Sequence, residues 1–279
     1  MPHHLKAKPE SVKHLVTPQS AGWDYLGYQA ISLKAGESYS FQSEANEAAL
    51  VPLKGSAQLR VIYQGHSQEL RLNRKSVFTE KPHVLYLPPQ TSLVVSAEAD
   101  FEFAIGTAPA EGKYPVRVFK PDEIRVEVRG GGPALREVHH ILSHPMPAER
   151  LILFEVYIPG GMWSGWPPHC HDEFDNSPYL EETYHFFFDK PQGFGLHRNY
   201  NLTRNFDEVF SVYSDDLVLV TQGYHPVAAC PGSTMYFLNY LAGKLYDDDR
   251  KLPPIDDPEH TWIKDNWDAY DVKLPLDMS

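Results

Sequence analysis

The sequence predicts an all-β protein built from two similar barrel or sandwich units, and three observations carry the prediction. Short runs rich in Val, Ile, Leu, Tyr and Phe recur between Pro and Gly breaks, as in AQLRVIYQG (57–65), LILFEVYIPGG (151–161) and TMYFLNYLAG (234–243). Runs of this length bounded by turn residues are strand signals. No segment sustains a helical period, and 24 prolines count against helices. Segments 84–106 and 217–243 share one rhythm of strand, Pro/Gly turn and strand. That faint repeat suggests two units, and only the second carries clustered metal-ligand types.

With 279 residues and 42% hydrophobic content the chain can bury a large core. The balance of 25 basic and 37 acidic residues gives a net charge of −12. This excludes the basic footprint of a nucleic-acid partner and disfavours an anionic membrane surface. Two cysteines, Cys170 and Cys230, make no disulfide framework, so a cytoplasmic setting is expected. No apolar run approaches membrane-spanning length.

In chain order, residues 1–129 form the first expected unit, an N-terminal one without a His-x-His. The glycine run Gly130-Gly131-Gly132 marks the boundary, and residues 130–246 form the second unit. Residues 247–279 are polar, broken by proline and studded with Trp and Asp. They read as a tail packed on the outside or against a partner chain, where Trp262, Trp267 and Tyr270 make a homo-oligomer plausible. Asp247, Asp248 and Asp249 lack the spacing and Gly of a Ca²⁺ loop and read as a solvated turn.

The chemistry concentrates in Pro168-His169-Cys170-His171. On a strand, side chains alternate faces, so His169 and His171 point one way and Cys170 the other. An isolated pair of this kind is often two ordinary surface histidines. The stiff Pro167-Pro168 approach, an acidic loop, the strand ETYHFFF and the later Gly-Tyr-His-Pro turn with His225 favour a metal site instead. A carboxylate ligand could come from Glu173, Glu181 or Glu182. Alternation puts Glu182 with Tyr184 and Phe186 on one face and Glu181 on the other, without saying which face is inside. His185 falls on the Glu181 side, as a structural histidine. Of His197 and Arg198, only one can face the interior.

The pattern of His-x-His, Glu and a late His after a Gly-containing turn resembles the cupin family. More narrowly, GMWSGWPPHCHDEFDNSPYLEETYHFFFDKPQGFGLHRNYN and GYHPVAACPGSTMYFLNYLAG resemble the 5-deoxy-glucuronate isomerases of myo-inositol catabolism. EAALVPLKGSAQLRV, SVFTEKPHVLYLPPQ and GGGPALREVHHIL are similar to that family's first half and linker. The resemblance implies a bicupin of two jelly-roll-like barrels. It implies the metal ligands His169, His171, Glu182 and His225, and one divalent ion per chain, Zn²⁺ foremost with Mn²⁺ or Fe²⁺ also suited. The implied reaction is aldose–ketose isomerisation of 5-deoxy-D-glucuronate to 5-dehydro-2-deoxy-D-gluconate. The competing readings are a 5-keto-4-deoxyuronate isomerase of pectin breakdown, an Fe²⁺ dioxygenase and a non-catalytic sugar-binding cupin. For an isomerase, Glu173, Asp175 and Tyr184 are base candidates, each with a structural role as the plain alternative. A cation must meet the carboxylate of the sugar acid: Arg198 is the first candidate, against a surface ion pair, and Lys190 the second.

Overall fold

The computed structural model describes residues 2–267. Tyr270, expected in an aromatic tail, lies outside them. The described residues form strands throughout, with one four-residue α-helix, Pro18–Ala21, and a few 3₁₀ turns.

The first half is organised by one long strand, Asn46–Tyr63. Its first part pairs with Val84–Leu87 and Phe101–Pro109; its second part pairs with His66–Arg74 and Ser92–Ala97. The register shifts between Pro52 and Lys54, and Gly55 follows with φ +94°. A Cβ at Gly55 would lie 1.8 Å from the Asp100 carbonyl oxygen. The bulge and the glycine turn the strand through a corner, so that one strand serves two sheets. Their facing sides pack Leu50, Leu59, Leu72, Leu93, Phe101 and Phe103 into an apolar interior.

The second half pairs a seven-stranded sheet with a four-stranded one. Inside the larger sheet, Leu180–Phe188 runs antiparallel to both Leu217–Val220 and Met235–Gly243. The smaller sheet holds Gly195–Tyr200, with Asp207–Val212 and Val227–Ala229 beside it. Between the two sheets lie Val156, Tyr184, Phe186, Val218, Val227 and Phe237.

The expected boundary near residue 130 falls inside a hairpin. Arg125–Arg129 pairs with Arg136–Leu142, at the edge of the second half's sheet. At the other edge of that sheet stands His4–Leu5, paired with Leu217 and Val218. Backbone hydrogen bonding overrides the composition break at the glycines, because an unpaired sheet edge gains by capturing a strand.

The halves meet sheet against sheet. Ala49, Val51, Tyr86 and Ala104 of the first pack on Leu219, Tyr236, Leu238 and Tyr240 of the second. Gly106 allows this approach, since a Cβ there would lie 2.0 Å from the Tyr240 ring. Carboxylates stitch the seam through backbone N–H groups: Glu181 accepts from Asp24, Tyr25 and Leu26, and Glu47 accepts from Glu149, Arg150 and Leu151. Arg74 and Glu155, both fully buried, form a bidentate pair across it at 2.6 and 3.0 Å.

Candidate metal centre

Three segments converge inside the second half. Glu182 sits on Leu180–Phe188, where Glu182, Tyr184 and Phe186 face the interior and Glu181 and His185 face the first half. His185 is fully buried, with the Tyr28 hydroxyl 2.7 Å from its Nδ1, in the structural role expected of it.

His171 arrives from the short strand His169–Cys170, which pairs with Ile255–Asp256 of the tail. Cys170 points away from the cluster and packs on Tyr200 and Tyr224. His225 follows the turn at Gly223, where a Cβ would lie 2.3 Å from the Tyr200 carbonyl oxygen and φ is +78°. The Asp172 carboxylate accepts from Gly223 N–H at 2.7 Å, tying the two histidine-bearing loops together.

His171, Glu182 and His225, all buried, offer ligand atoms within 4.8 Å of one another. In both histidines Nδ1 donates to a backbone carbonyl, Leu180 for His171 at 2.7 Å and Gly223 for His225 at 3.0 Å. That fixes the tautomer and leaves each Nε2 aimed at the Glu182 carboxylate, at 2.9 and 3.2 Å. His225 Nε2 is buried without a hydrogen-bond partner. A buried acceptor nitrogen is costly to leave unpaired, and its two neighbours in reach are also ligand types. The donor set therefore fits a divalent cation of the borderline class.

His169 stands beside the trio, its ring centre 4.7 Å from that of His225 and 6.3 Å from that of His171. Burial, with His225 and His171 nearby, holds its pKa well below the ordinary value, so it is a neutral ring. Burial opposes charge on Glu182 as well, but the neighbouring His171 and His225 outweigh it and hold the carboxyl below its ordinary range. For Tyr184, burial raises the phenol pKa far above its usual value and the Glu182 charge adds to it. Tyr184 packs 4.8 Å from His197 and 6.0 Å from His225. Burial pushes the fully enclosed His197 down to about 3.

A cavity of about 680 Å³ opens onto this cluster, with His169, His171, Glu182, Tyr184 and Asn239 in its wall. Four expected residues lie elsewhere. Arg198 points outward, bidentate to Asp207 at 2.6 and 2.8 Å and stacked over Tyr200, because His197 takes the inward position. Lys190 lies beyond Phe188, at the far end of the strand that carries Glu182, with an exposed side chain. Glu173 and Asp175 sit in an exposed turn with φ of +69° and +51°, and Glu173 pairs with Lys244 at 2.5 Å. Of the three base candidates, only Tyr184 lines the cavity.

Arg136 is the cavity residue that reading the sequence missed. A signal existed: Arg136, Val138 and His140 alternate on one face of a strand and all line the cavity. Asp256 pairs with His169, Asp257 N–H donates to the Pro168 carbonyl, and Lys264 and Trp267 reach the cavity wall. This segment packs on the metal-site loop, which residue composition alone does not reveal.

A profile of the KduI/IolB family matches residues 1–263. A 5-deoxy-glucuronate isomerase of Geobacillus kaustophilus is 40% identical over 256 residues, covering 90% of each chain. The enzyme of that name from Bacillus subtilis strain 168 is 34% identical over 273 residues, 93% of this chain and 98% of its own. Among solved structures, an IolB-like protein from Salmonella typhimurium LT2 is 39% identical, with a TM-score of 0.88 over 95% of this chain and all of that one. An oxalate decarboxylase from Lactobacillus farciminis, 11% identical, shares the fold with a TM-score of 0.64 over 95% of this chain and 90% of that one.

Proposed function

Since this chain belongs to the KduI/IolB family, we propose that it is a metal-dependent 5-deoxy-glucuronate isomerase, an intramolecular oxidoreductase on a bicupin scaffold. The observation that carries the reading is the buried trio His171, Glu182 and His225, two of whose members, His171 and Glu182, line a cavity large enough for a six-carbon acid. His171, Glu182 and His225 would hold one divalent ion, with His169 as the fourth ligand; Zn²⁺, Mn²⁺ and Fe²⁺ all suit the donors. When bound, such an ion polarises a carbonyl and its neighbouring hydroxyl.

The chain's own residues supply the rest. Aldose–ketose isomerisation moves one hydrogen between adjacent carbons and one proton between their oxygens. Tyr184, held protonated by burial, is suited to donate a hydrogen bond to one of those oxygens rather than to act as the base. Neutral His169 and the rings of Phe237 and Trp166 line the cavity and limit water around the reacting carbons.

Proton NMR of the protein with 5-deoxy-D-glucuronate in D₂O tests the reading. Conversion to the 2-ketose should vanish after chelation and return with metal. Deuterium at the former aldehyde carbon would mark an enediol route through a protein base. Absence of conversion by metal-loaded protein would overturn the substrate assignment.

A further inference from the structure

Resting on that reading, we infer that Arg136 is the residue that recognises the carboxylate of the sugar acid. The carboxylate and the aldehyde are at opposite ends of the six-carbon substrate, so the cation must lie in the cavity but off the metal trio. The cavity wall contains several cations, and their partners separate them. Arg125 and Arg129 both bond Glu127, at 2.8 Å each. Lys264 is paired with Asp256. Arg250 donates to the carbonyls of Leu151, Met146 and Asp247. Lys251 is exposed on the outside of the tail.

Arg136 differs from the ion-paired cations in having no carboxylate partner, from Arg250, whose Nε, Nη1 and Nη2 are all engaged, in using one nitrogen only, and from Lys251 in being withdrawn from solvent. Its guanidinium donates to two backbone carbonyls, Ala134 at 3.0 Å and Trp166 at 3.4 Å, and among the described residues no carboxylate makes an ion pair with it. Those carbonyls engage a single nitrogen, Nη1, and among the described residues Nη2 and Nε have no hydrogen-bond partner, which leaves that edge for a planar anion. It is largely withdrawn from solvent, and burial lowers its pKa to about 10, with Arg129 adding to the shift. A partly desolvated guanidinium without a counter-ion is a site of unspent electrostatic attraction for an incoming carboxylate. Its strand neighbour Val138 and the opposing Trp166 and Trp267 make the adjoining wall apolar, which suits the methylene next to the acid group. Charge is thus placed for the acid end, and ligand types for the carbonyl end.

The test compares wild type, Arg136→Gln and Arg136→Lys, all metal-loaded, on 5-deoxy-D-glucuronate and on 5-deoxy-D-glucose, which replaces the carboxylate by a neutral hydroxymethyl group. Metal content and thermal midpoint are measured on each. Losing a desolvated charge contact should lower kcat/KM for the acid by about 100-fold or more. The loss should fall mainly on KM, spare the neutral sugar to within about 3-fold and be partly rescued by lysine. An equal loss on both sugars, or none on the acid, overturns the assignment. Calorimetric titration with D-gluconate, a six-carbon acid with no aldehyde to isomerise, decides the same point without turnover. Weaker binding to Arg136→Gln than to wild type supports the role, and equal binding or no binding by wild type refutes it. If the 5-deoxy acid is not converted by wild type, the isomerase reading fails while this binding comparison still judges Arg136.

Discussion

At the scale of single residues, the interior separates groups that carry charge from groups that burial keeps neutral. Tyr184 belongs to the second kind; it lines the cavity, and a conservative substitution deletes its hydroxyl alone. Tyr184→Phe should retain metal and fold while losing about 10²- to 10⁴-fold in kcat; unchanged kcat in a steady-state assay would assign the ring to packing alone. His14 is also held neutral. Burial, assisted by the nearby His185, lowers its pKa to about 4 although its Nε2 lies 2.7 Å from the Asp215 carbonyl oxygen. The unfolded chain, with an ordinary histidine, binds the proton from pH 6.5 downward while the folded one refuses it until about 4. Stability from this site is therefore complete above pH 6.5 and is lost as pH falls toward 4, by up to about 3 kcal/mol. Urea midpoints between pH 4 and 7 should rise with pH, and His14→Gln should flatten that slope.

At the scale of elements, periodicity is what made the sequence readable. The two-residue alternation of Leu180–Phe188 predicted that Glu182, Tyr184 and Phe186 share a face, and they do. The same rule posed the choice between His197 and Arg198 correctly but could not say which face was inside. Arg198, named first as the carboxylate's partner, lies outside and bonds Asp207. Glu173 and Asp175 are close to His171 in sequence, yet a left-handed turn swings them into solvent. Arg136 was hidden because its strand's partners, Arg125–Arg129 and Ile152–Ile158, come from either side of it in the chain. The tail was hidden for a related reason: a two-residue strand such as Ile255–Asp256 has no period to detect. Its anchor is Asp257, fully buried, which accepts the Tyr200 hydroxyl at 2.6 Å and fixes the backbone beside His169. Asp257→Ala should weaken metal affinity about 10- to 100-fold, as loss of an outer support does, with the residual activity restored by excess metal in a metal-titration assay. Unaltered affinity would reduce the tail to a cover.

At the scale of the whole molecule, the two halves share a core instead of touching at a polar seam. Tyr240 reaches across to donate to the carbonyls of Ala49 and Ala104, at 3.1 and 3.3 Å. Arg74 and Glu155 neutralise each other there. Burial opposes ionisation of Glu155, but Arg74 overcomes it and the carboxyl titrates below its usual range. Removing one member strands the other in the core, so Arg74→Met should cost about 3–5 kcal/mol. A seam of this kind also predicts one cooperative heat-absorption peak for the whole chain in scanning calorimetry, shifted down in Arg74→Met. Two separate peaks would mean the halves melt independently.

The pairing of His4–Leu5 with Leu217 and Val218 sets the timing of assembly. This short segment closes an edge whose partner is made more than two hundred residues after it. During that interval the first half can bury its own sheets, while the arm has nowhere to go. The second half then finishes only when the residues around Asp257 have also emerged, since they brace the strand bearing His169. The seat for an ion is therefore finished only after the segment around Asp257 has been made.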